Sequence, residues 1–319
     1  RKVSRSEATF ESLPRHMKKI LISENNKGQR IDKFLAKEFF DISRGEIIRR
    51  IKEKKISVND KNVKPSYVLK EKDIITISKK QGIENTINPN ININLEIIYE
   101  DDNIVVVDKP AGIQVHPDHN EKINTLVNAL IYKYPEIKNV GEDAMRPGIV
   151  HRLDKDTSGI IIVARNKKSF SELKKKFQSR EIEKKYWAIV YGRIEKSGVI
   201  DKPLARATSY RKQIIAGKKT KTKIREAISC YKVLKKWNNF TLVEVTPKTG
   251  RFHQIRVHLA SIGHPVVGDK LYKLKKIKPT MVARQLLHAK SINFELFGKN
   301  YEFEAKLPDD FSKYLTDID

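Results

Sequence analysis

The feature that most narrows the fold is a six-residue apolar run, Gly159-Ile160-Ile161-Ile162-Val163-Ala164, entered directly from a string of ionisable residues. It is among the longest apolar runs in the chain, and a membrane-spanning helix needs about 20 residues. A transmembrane protein is therefore excluded. The β-branched residues disfavour a helix and suit a strand covered on both faces. The segment leading in is Arg146-Pro147-Gly148-Ile149-Val150-His151-Arg152-Leu153-Asp154-Lys155-Asp156-Thr157-Ser158-Gly159. It delivers acidic, basic and hydroxyl groups to the edge of a rigid strand, as a site requires. From residue types alone, a surface loop closed by an Asx or Ser/Thr turn reads equally well. His151, Asp154 and Ser158 also carry the residue types of a hydrolase triad, but nearness in sequence does not produce triad geometry.

Around this strand the hydrophobic periods switch irregularly between two and 3.6 residues. Strands are expected at 95–99 and 104–107, joined as a hairpin, and at 185–191, 228–234 and 240–245. Helices are expected at 125–134 and at 169–180, where Phe170, Leu173 and Phe177 share one face. A further helix is marked by Phe252, Ile255, Leu259 and Ile262. Strands and helices do not alternate regularly, so the expected class is α+β, not a doubly wound sheet. A second polar segment runs from Thr246 to His258. A strand ends, a glycine turn follows, and a helix begins whose His253 and Arg256 share a non-core face. Arg251 and Arg256 are placed to grip a phosphate or a carboxylate with two hydrogen bonds, or to serve as ordinary surface arginines.

The N-terminal part has its own pattern. Ile31, Phe34, Leu35 and Phe39 form one helical face. Ser43-Arg44-Gly45-Glu46 reads as a capping box that opens a second helix with Ile47, Ile48 and Ile51 inward. Short strands are expected at 56–58 and 73–77. Residues 18–82 thus make a small α+β module with 18 Lys and Arg against 9 Asp and Glu, a denser positive charge than the rest of the chain. The whole chain carries 65 Lys and Arg against 39 Asp and Glu, a net +26. That excess points to a polyanion, nucleic acid before an anionic membrane surface. A basic genome composition and a solvated helix face are the bland readings of the same numbers.

Residues 1–17 read as a vector-derived segment, His16-Met17 marking the junction. Residues 83–92 read as a linker and 93–319 as the second domain. The single cysteine, Cys230, cannot form an intrachain disulfide or a cysteine-rich zinc cluster, so a reducing cytoplasm is expected. Neither GxxxxGK[ST] nor GxGxxG occurs, and His116, His119, His253 and His258 form no HExxH pattern. The expectation is no metal, no cofactor, no nucleotide, no membrane and a monomer.

Two resemblances sharpen this. Gln29-Arg30-Ile31-Asp32-Lys33-Phe34-Leu35, then Ser43-Arg44, then Ile56-Ser57-Val58-Asn59 resemble the S-four RNA-binding domain. That implies RNA binding without chemistry, through Arg30, Ser43, Arg44, Arg49 and Arg50. Six segments further on resemble the pseudouridine synthases that modify ribosomal RNA, in the branch holding the large-subunit synthases C and D. They are Asp108-Lys109-Pro110-Ala111-Gly112, the segment from His151 to Gly159, Lys185-Tyr186-Trp187-Ala188, the segment from Thr249 to His258, the segment from Gly263 to Asp269, and Leu286-Leu287-His288-Ala289.

The resemblance implies an α+β fold with a mixed, mainly antiparallel central sheet of the pseudouridine synthase type, flanked by helices and loops, and the isomerisation of uridine within RNA. Nothing leaves the molecule, so no cofactor is needed. It assigns Asp154 as the catalytic carboxylate, Arg256 as its ion-pair partner, and Tyr186 as a residue stacking on the uracil or helping to remove a ring proton. Arg152, Leu287, His151 and Arg251 are the implied substrate-binding set, with Arg152 filling the stack that a flipped base vacates. Asp156 is read as structural. A non-catalytic RNA-binding or ribosome-assembly factor on the same fold is the rival reading.

Overall fold

The computed structural model describes residues 17–39, 44–78, 87–118, 120–207, 212–274 and 282–319. The chain divides into two compact units, residues 1–85 and 86–319. Among the described residues no helix is long and apolar enough to cross a membrane. Residues 1–16 and Ser43 with its expected capping box lie outside the described residues.

The first unit is built from β1 (Met17–Leu21), α1 (Ile31–Glu38), α2 (Arg44–Lys52), β2 (Ile56–Val58), β3 (Lys61–Asn62) and β4 (Ile74–Ser78), with the four strands in the order β1-β4-β2-β3. The apolar stripes of the two helices meet the sheet: Ile31, Phe34 and Leu35 pack with Ile47, Ile51, Ile56, Val58 and Ile75. Ile48, expected inward, is only half-buried, because Ile47 and Ile51 are one turn apart and claim the inner face. The last strand begins after Asp73. That carboxylate accepts hydrogen bonds from the Lys70 amide, Asn59 and the Tyr67 hydroxyl, which holds residue 73 in a turn.

The second unit opens with the hairpin β5 (Glu96–Glu100) and β6 (Ile104–Lys109), then α3 (Leu126–Lys133), β7 (Ser158–Ala164), α4 (Lys167–Ser179) and β8 (Glu183–Tyr191). There follow β9 (Gly198–Asp201), the short pair β10 (Leu204–Arg206) and β11 (Gln213–Ile215), β12 (Ile228–Lys236) and β13 (Phe240–Pro247). The unit ends with α5 (Gln254–Ser261), β14 (Leu287–Leu296), β15 (Lys299–Glu304) and α6 (Asp309–Asp317). The main sheet runs β5-β6-β7-β14-β8-β13-β12-β9, with β15 also on β14. Every pairing in it is antiparallel except β7 with β14, where Ser158 faces His288 and Gly159 faces Ala289. The fold is therefore α+β with a mixed, mainly antiparallel sheet.

All seven residues of β7 are buried, as its unbroken apolar run requires. On one side of this core lie Leu126, Val127 and Leu130 of α3 and Leu173 of α4. Asn166 caps α4 by accepting the Ser169 amide at 2.9 Å. Farther along the sheet, Ile255 and Leu259 of α5 pack on Ala188 and Val190 of β8 and Val243 and Val245 of β13. Residues read as linker also take part. Ile87 is buried in the core of this unit, and the Asn88 carbonyl accepts from Asn128 of α3 at 2.7 Å.

Candidate active site

Asp154 sits in the loop that feeds β7, and that loop is tied down from below. Lys109, fully buried at the end of β6, donates to the carbonyl oxygens of Pro110 (2.7 Å), Ile113 (2.9 Å) and Lys155 (3.1 Å). Three acceptors around one amine match the three donors of an ammonium. Burial pushes the Lys109 pKa down to about 7, against the pull of the Asp156 carboxylate. The Thr157 amide closes the turn on the Asp154 carbonyl at 3.1 Å. Just beyond, β7 and β14 touch so closely that a Cβ on Gly159, at φ +110°, would lie 2.3 Å from the Ala289 carbonyl oxygen. Only glycine permits that approach.

The Asp154 carboxylate, 16% exposed, receives the buried Arg256 guanidinium: Nη1 donates to Oδ2 at 2.9 Å. The other edge of the guanidinium is gripped by Asp269, whose two oxygens accept from Nε at 2.7 Å and Nη2 at 2.9 Å. Burial works against the Arg256 charge, but the two carboxylates outweigh it and hold its pKa above the ordinary value. Asp269 is delivered by a second close approach, since a Cβ on Gly268 would lie 1.9 Å from the Arg284 carbonyl oxygen. The first turn of α5 is fixed by Gln254. Its Oε1 accepts the Arg251 amide at 3.0 Å and the Thr249 hydroxyl at 2.7 Å, and its Nε2 donates to the Ile228 carbonyl at 2.9 Å.

These groups open on a cavity of about 760 Å³ lined by Arg152, Asp154, Tyr186, Arg206, Arg251, Phe252, His253, Arg256 and Leu287, among others. Tyr186 comes from β8 and Leu287 from the start of β14. Burial, and then the Asp154 charge, push the Tyr186 phenol well above its ordinary pKa, so it keeps its proton. Arg152 is exposed at the rim, 3.5 Å from His116 Nε2, with its guanidinium over the Phe252 ring. Arg251 donates to the Glu226 carbonyl at 3.0 Å.

Several residues stand differently from the sequence reading. His151 lines the cavity wall, but its Nε2 accepts the Ile162 amide at 2.8 Å and its ring stacks on Phe177. Ser158 pairs with His288 Nδ1 at 3.0 Å. A Ser158–His151 hydrolase couple is therefore not assembled, because both side chains are spent on β7 and its neighbours. Phe252, expected on the core face of a helix, lies before α5 and faces the cavity. The chain enters the helix through His253 at φ 54°, ψ 18°, which turns residue 252 away from the helical stripe. Asp156 offers its carbonyl to Arg284 at 3.2 Å. Asp269, His253 and Tyr272 were given no role by the sequence; the signal for the first two was that they lie in the segments 263–269 and 249–258 that resemble the synthases.

In the first unit the arginines expected to meet RNA are already paired. Arg30 and Arg44 both bind the buried Asp32, and Arg49 and Arg50 both bind Glu46. Burial would raise the Asp32 pKa, but the two arginines override it and hold it down at about 2.

Comparison with known proteins bears on the same residues. The RNA pseudouridylate synthase family profile matches residues 103–261, and the S4 domain profile matches residues 29–75. An uncharacterized RNA pseudouridine synthase of Aquifex aeolicus is 42% identical over 81% of this chain and 80% of that protein. The ribosomal large subunit pseudouridine synthase D of Pseudomonas aeruginosa is 36% identical over 91% of this chain and 92% of its own length. Among solved structures, human RNA Pseudouridylate Synthase Domain Containing 4 is 25% identical with a TM-score of 0.56, over 70% of this chain and 92% of that one.

Proposed function

This chain belongs to the RNA pseudouridine synthase family, carrying an N-terminal S4 domain, and on that premise we propose that it isomerises particular uridines of large-subunit ribosomal RNA, with Asp154 as the carboxylate that meets the nucleoside. The reaction breaks the bond from ribose C1′ to uracil N1, turns the ring, and joins C1′ to C5. The C5 proton is released and N1 regains one, so atoms balance without a co-reactant. The observation that carries the assignment is the 2.9 Å pair between Asp154 and the buried Arg256 inside the cavity.

A guanidinium at that distance holds the carboxylate in place, ready to attack C1′ or to assist departure of the uracil. Tyr186 and Leu287 line the space that an extruded uracil would fill and keep water from the detached ring. A phenol held protonated supports stacking and hydrogen-bond donation by Tyr186 over proton removal. Arg152 at the rim fills the vacated stack, where flipping a base costs a few kcal/mol. Arg251 sits at the cavity wall as a phosphate contact, and His151 shapes the wall without touching substrate. Arg30 and Arg44 of the S4 domain, both about half exposed, add RNA phosphate contacts that offset the flipping cost, while Arg49 and Arg50 are tied to Glu46. The protein works as a monomer in the cytoplasm under this reading.

The test is tritium release from ribosomal RNA labelled at uracil C5. Wild type should release tritium and Asp154→Asn should not, at a temperature where melting curves show that the variant is folded. Equal release by both would overturn the role of Asp154. No release by wild type on ribosomal RNA would favour the binding-factor reading.

A further inference from the structure

Resting on that role of Asp154, we propose that His253 is a positioning residue that holds the Asp154 carboxylate through a hydrogen-bond relay running from the Gln213 amide through Tyr272. His253 stands at the entrance of α5 with φ 54° and ψ 18°, a left-handed conformation that few non-glycine residues adopt. That geometry turns its ring into the cavity, 8% exposed, with Nε2 3.7 Å from Asp154 Oδ2. Its other nitrogen, Nδ1, lies 2.9 Å from the Tyr272 hydroxyl. The same hydroxyl oxygen accepts the Gln213 amide of β11 at 2.8 Å.

The proton positions follow from this arrangement. The Tyr272 oxygen accepts from a backbone N–H, which leaves its own proton to donate, and Nδ1 is the acceptor in reach. An imidazole that accepts at Nδ1 carries its proton on Nε2. That N–H is aimed at Asp154. Burial holds His253 neutral, with a pKa near 4, against the pull of Asp154, so it acts as a dipole and not as a second cation.

The contacts from Arg256 and His253 both fall on Oδ2. The relay thus fixes which oxygen of the carboxylate faces the ribose. Tyr272 supports both donors, because its ring lies under the Arg256 guanidinium and its amide binds Asp269 Oδ1 at 3.1 Å. At 3.7 Å the contact is longer than a hydrogen bond, and it tightens into one as substrate closes on the carboxylate.

The experiment measures kcat, KM and RNA affinity of the full chain for wild type, His253→Gln, His253→Asn and Tyr272→Phe, with Asp154→Asn alongside. Glutamine places an amide donor where Nε2 stood. Asparagine places one only near Nδ1, although it tolerates the left-handed backbone at least as well. The proposal expects His253→Asn and Tyr272→Phe to lower kcat about ten- to hundredfold at near-constant KM, with His253→Gln restoring most of it. Asparagine performing as well as glutamine would overturn it, as would wild-type kcat in Tyr272→Phe. Tyr272→Phe keeps the ring that packs on Arg256 and serves as the readout if a His253 variant unfolds. If Asp154→Asn is inactive while these variants match wild type, the positioning role falls alone. If Asp154→Asn stays active, the catalytic reading falls first.

Discussion

Asp154 and Arg256 are 102 residues apart in the chain and 2.9 Å apart in space. The contact joins the loop before β7 to the first turn of α5, the helix that follows β13. Arg256 is held by Asp269 as well as by Asp154, so the guanidinium is placed before any substrate arrives. Two carboxylates around one buried cation give the site its preorganisation.

The first prediction concerns that clamp. Asp269→Asn leaves Arg256 buried with half its counter-charge. Breaking one side of a buried pair costs about 3–5 kcal/mol. At roughly 2–4 °C per kcal/mol for a unit of this size, the melting temperature should fall by about 10 °C. Tritium release should fall more than RNA affinity does. A melting temperature within about 2 °C of wild type would show that Asp269 is not the support.

Lys109 gives a second prediction. Lys109→Met fills the same space but removes the donor for three partly buried carbonyl oxygens, of which that of Lys155 still accepts the Gly112 amide at 3.0 Å. Each hydrogen bond lost from Pro110 and Ile113 costs about 1 kcal/mol, so the variant should lose roughly 2 kcal/mol by denaturant melting. Because one of those carbonyls belongs to Lys155, activity at a temperature where the variant is folded should drop as well. A stable and fully active Lys109→Met would contradict this support of the Asp154 loop.

The sequence made the Asp154 loop and β7 legible because one strong rule governs them: an all-apolar, β-branched run must be covered on both faces. The helices with clean stripes, α1, α3 and α4, were readable for the same reason. Strand β14 was not read as a strand, although it lies mid-sheet. Its residues Lys290 and Ser291 interrupt the apolar pattern where it bulges against β8 and exchanges β7 for β15 as its other neighbour. Phe252 was misplaced because helical spacing continues through it, while the backbone leaves the helix at His253. Asp269 was silent because its partner, Arg256, meets it only after α5 and the following turn fold together.

Asp108 supplies the pH dependence. It lies opposite Glu96 across the β5–β6 hairpin, and burial, then the Glu96 charge, raise its pKa to about 6 from the model-peptide value of 3.8. The folded carboxyl therefore binds its proton more tightly than the unfolded one. Stability from this group is fully present below about pH 4 and is lost as pH rises through about 6. Asp108→Asn should raise the melting temperature by a few degrees at pH 8 and leave it unchanged at pH 4. An equal effect at both pH values would mean that the carboxylate's charge is not the cause.

The S4 domain yields a paired prediction, since Glu46 and Asp32 each neutralise two arginines but differ in burial. Glu46 is partly exposed, and its pairs with Arg49 and Arg50 within α2 are each worth about 0.5 kcal/mol. Asp32 is fully buried beneath Arg30 and Arg44. Glu46→Gln should leave the melting temperature nearly unchanged and free both arginines for phosphate, tightening RNA binding several-fold. The slope of log affinity against log salt should steepen by about 1.4 if two further phosphates are engaged, at about 0.7 for each contact with a single strand. Asp32→Asn removes the same unit of charge but leaves a buried amide with too few acceptors for the two half-exposed arginines, so it should lower stability by about 1–3 kcal/mol. RNA titrations of the full chain at several salt concentrations, with melting curves of both variants, check the pair. An unchanged salt slope in Glu46→Gln would place the RNA away from this face of α2.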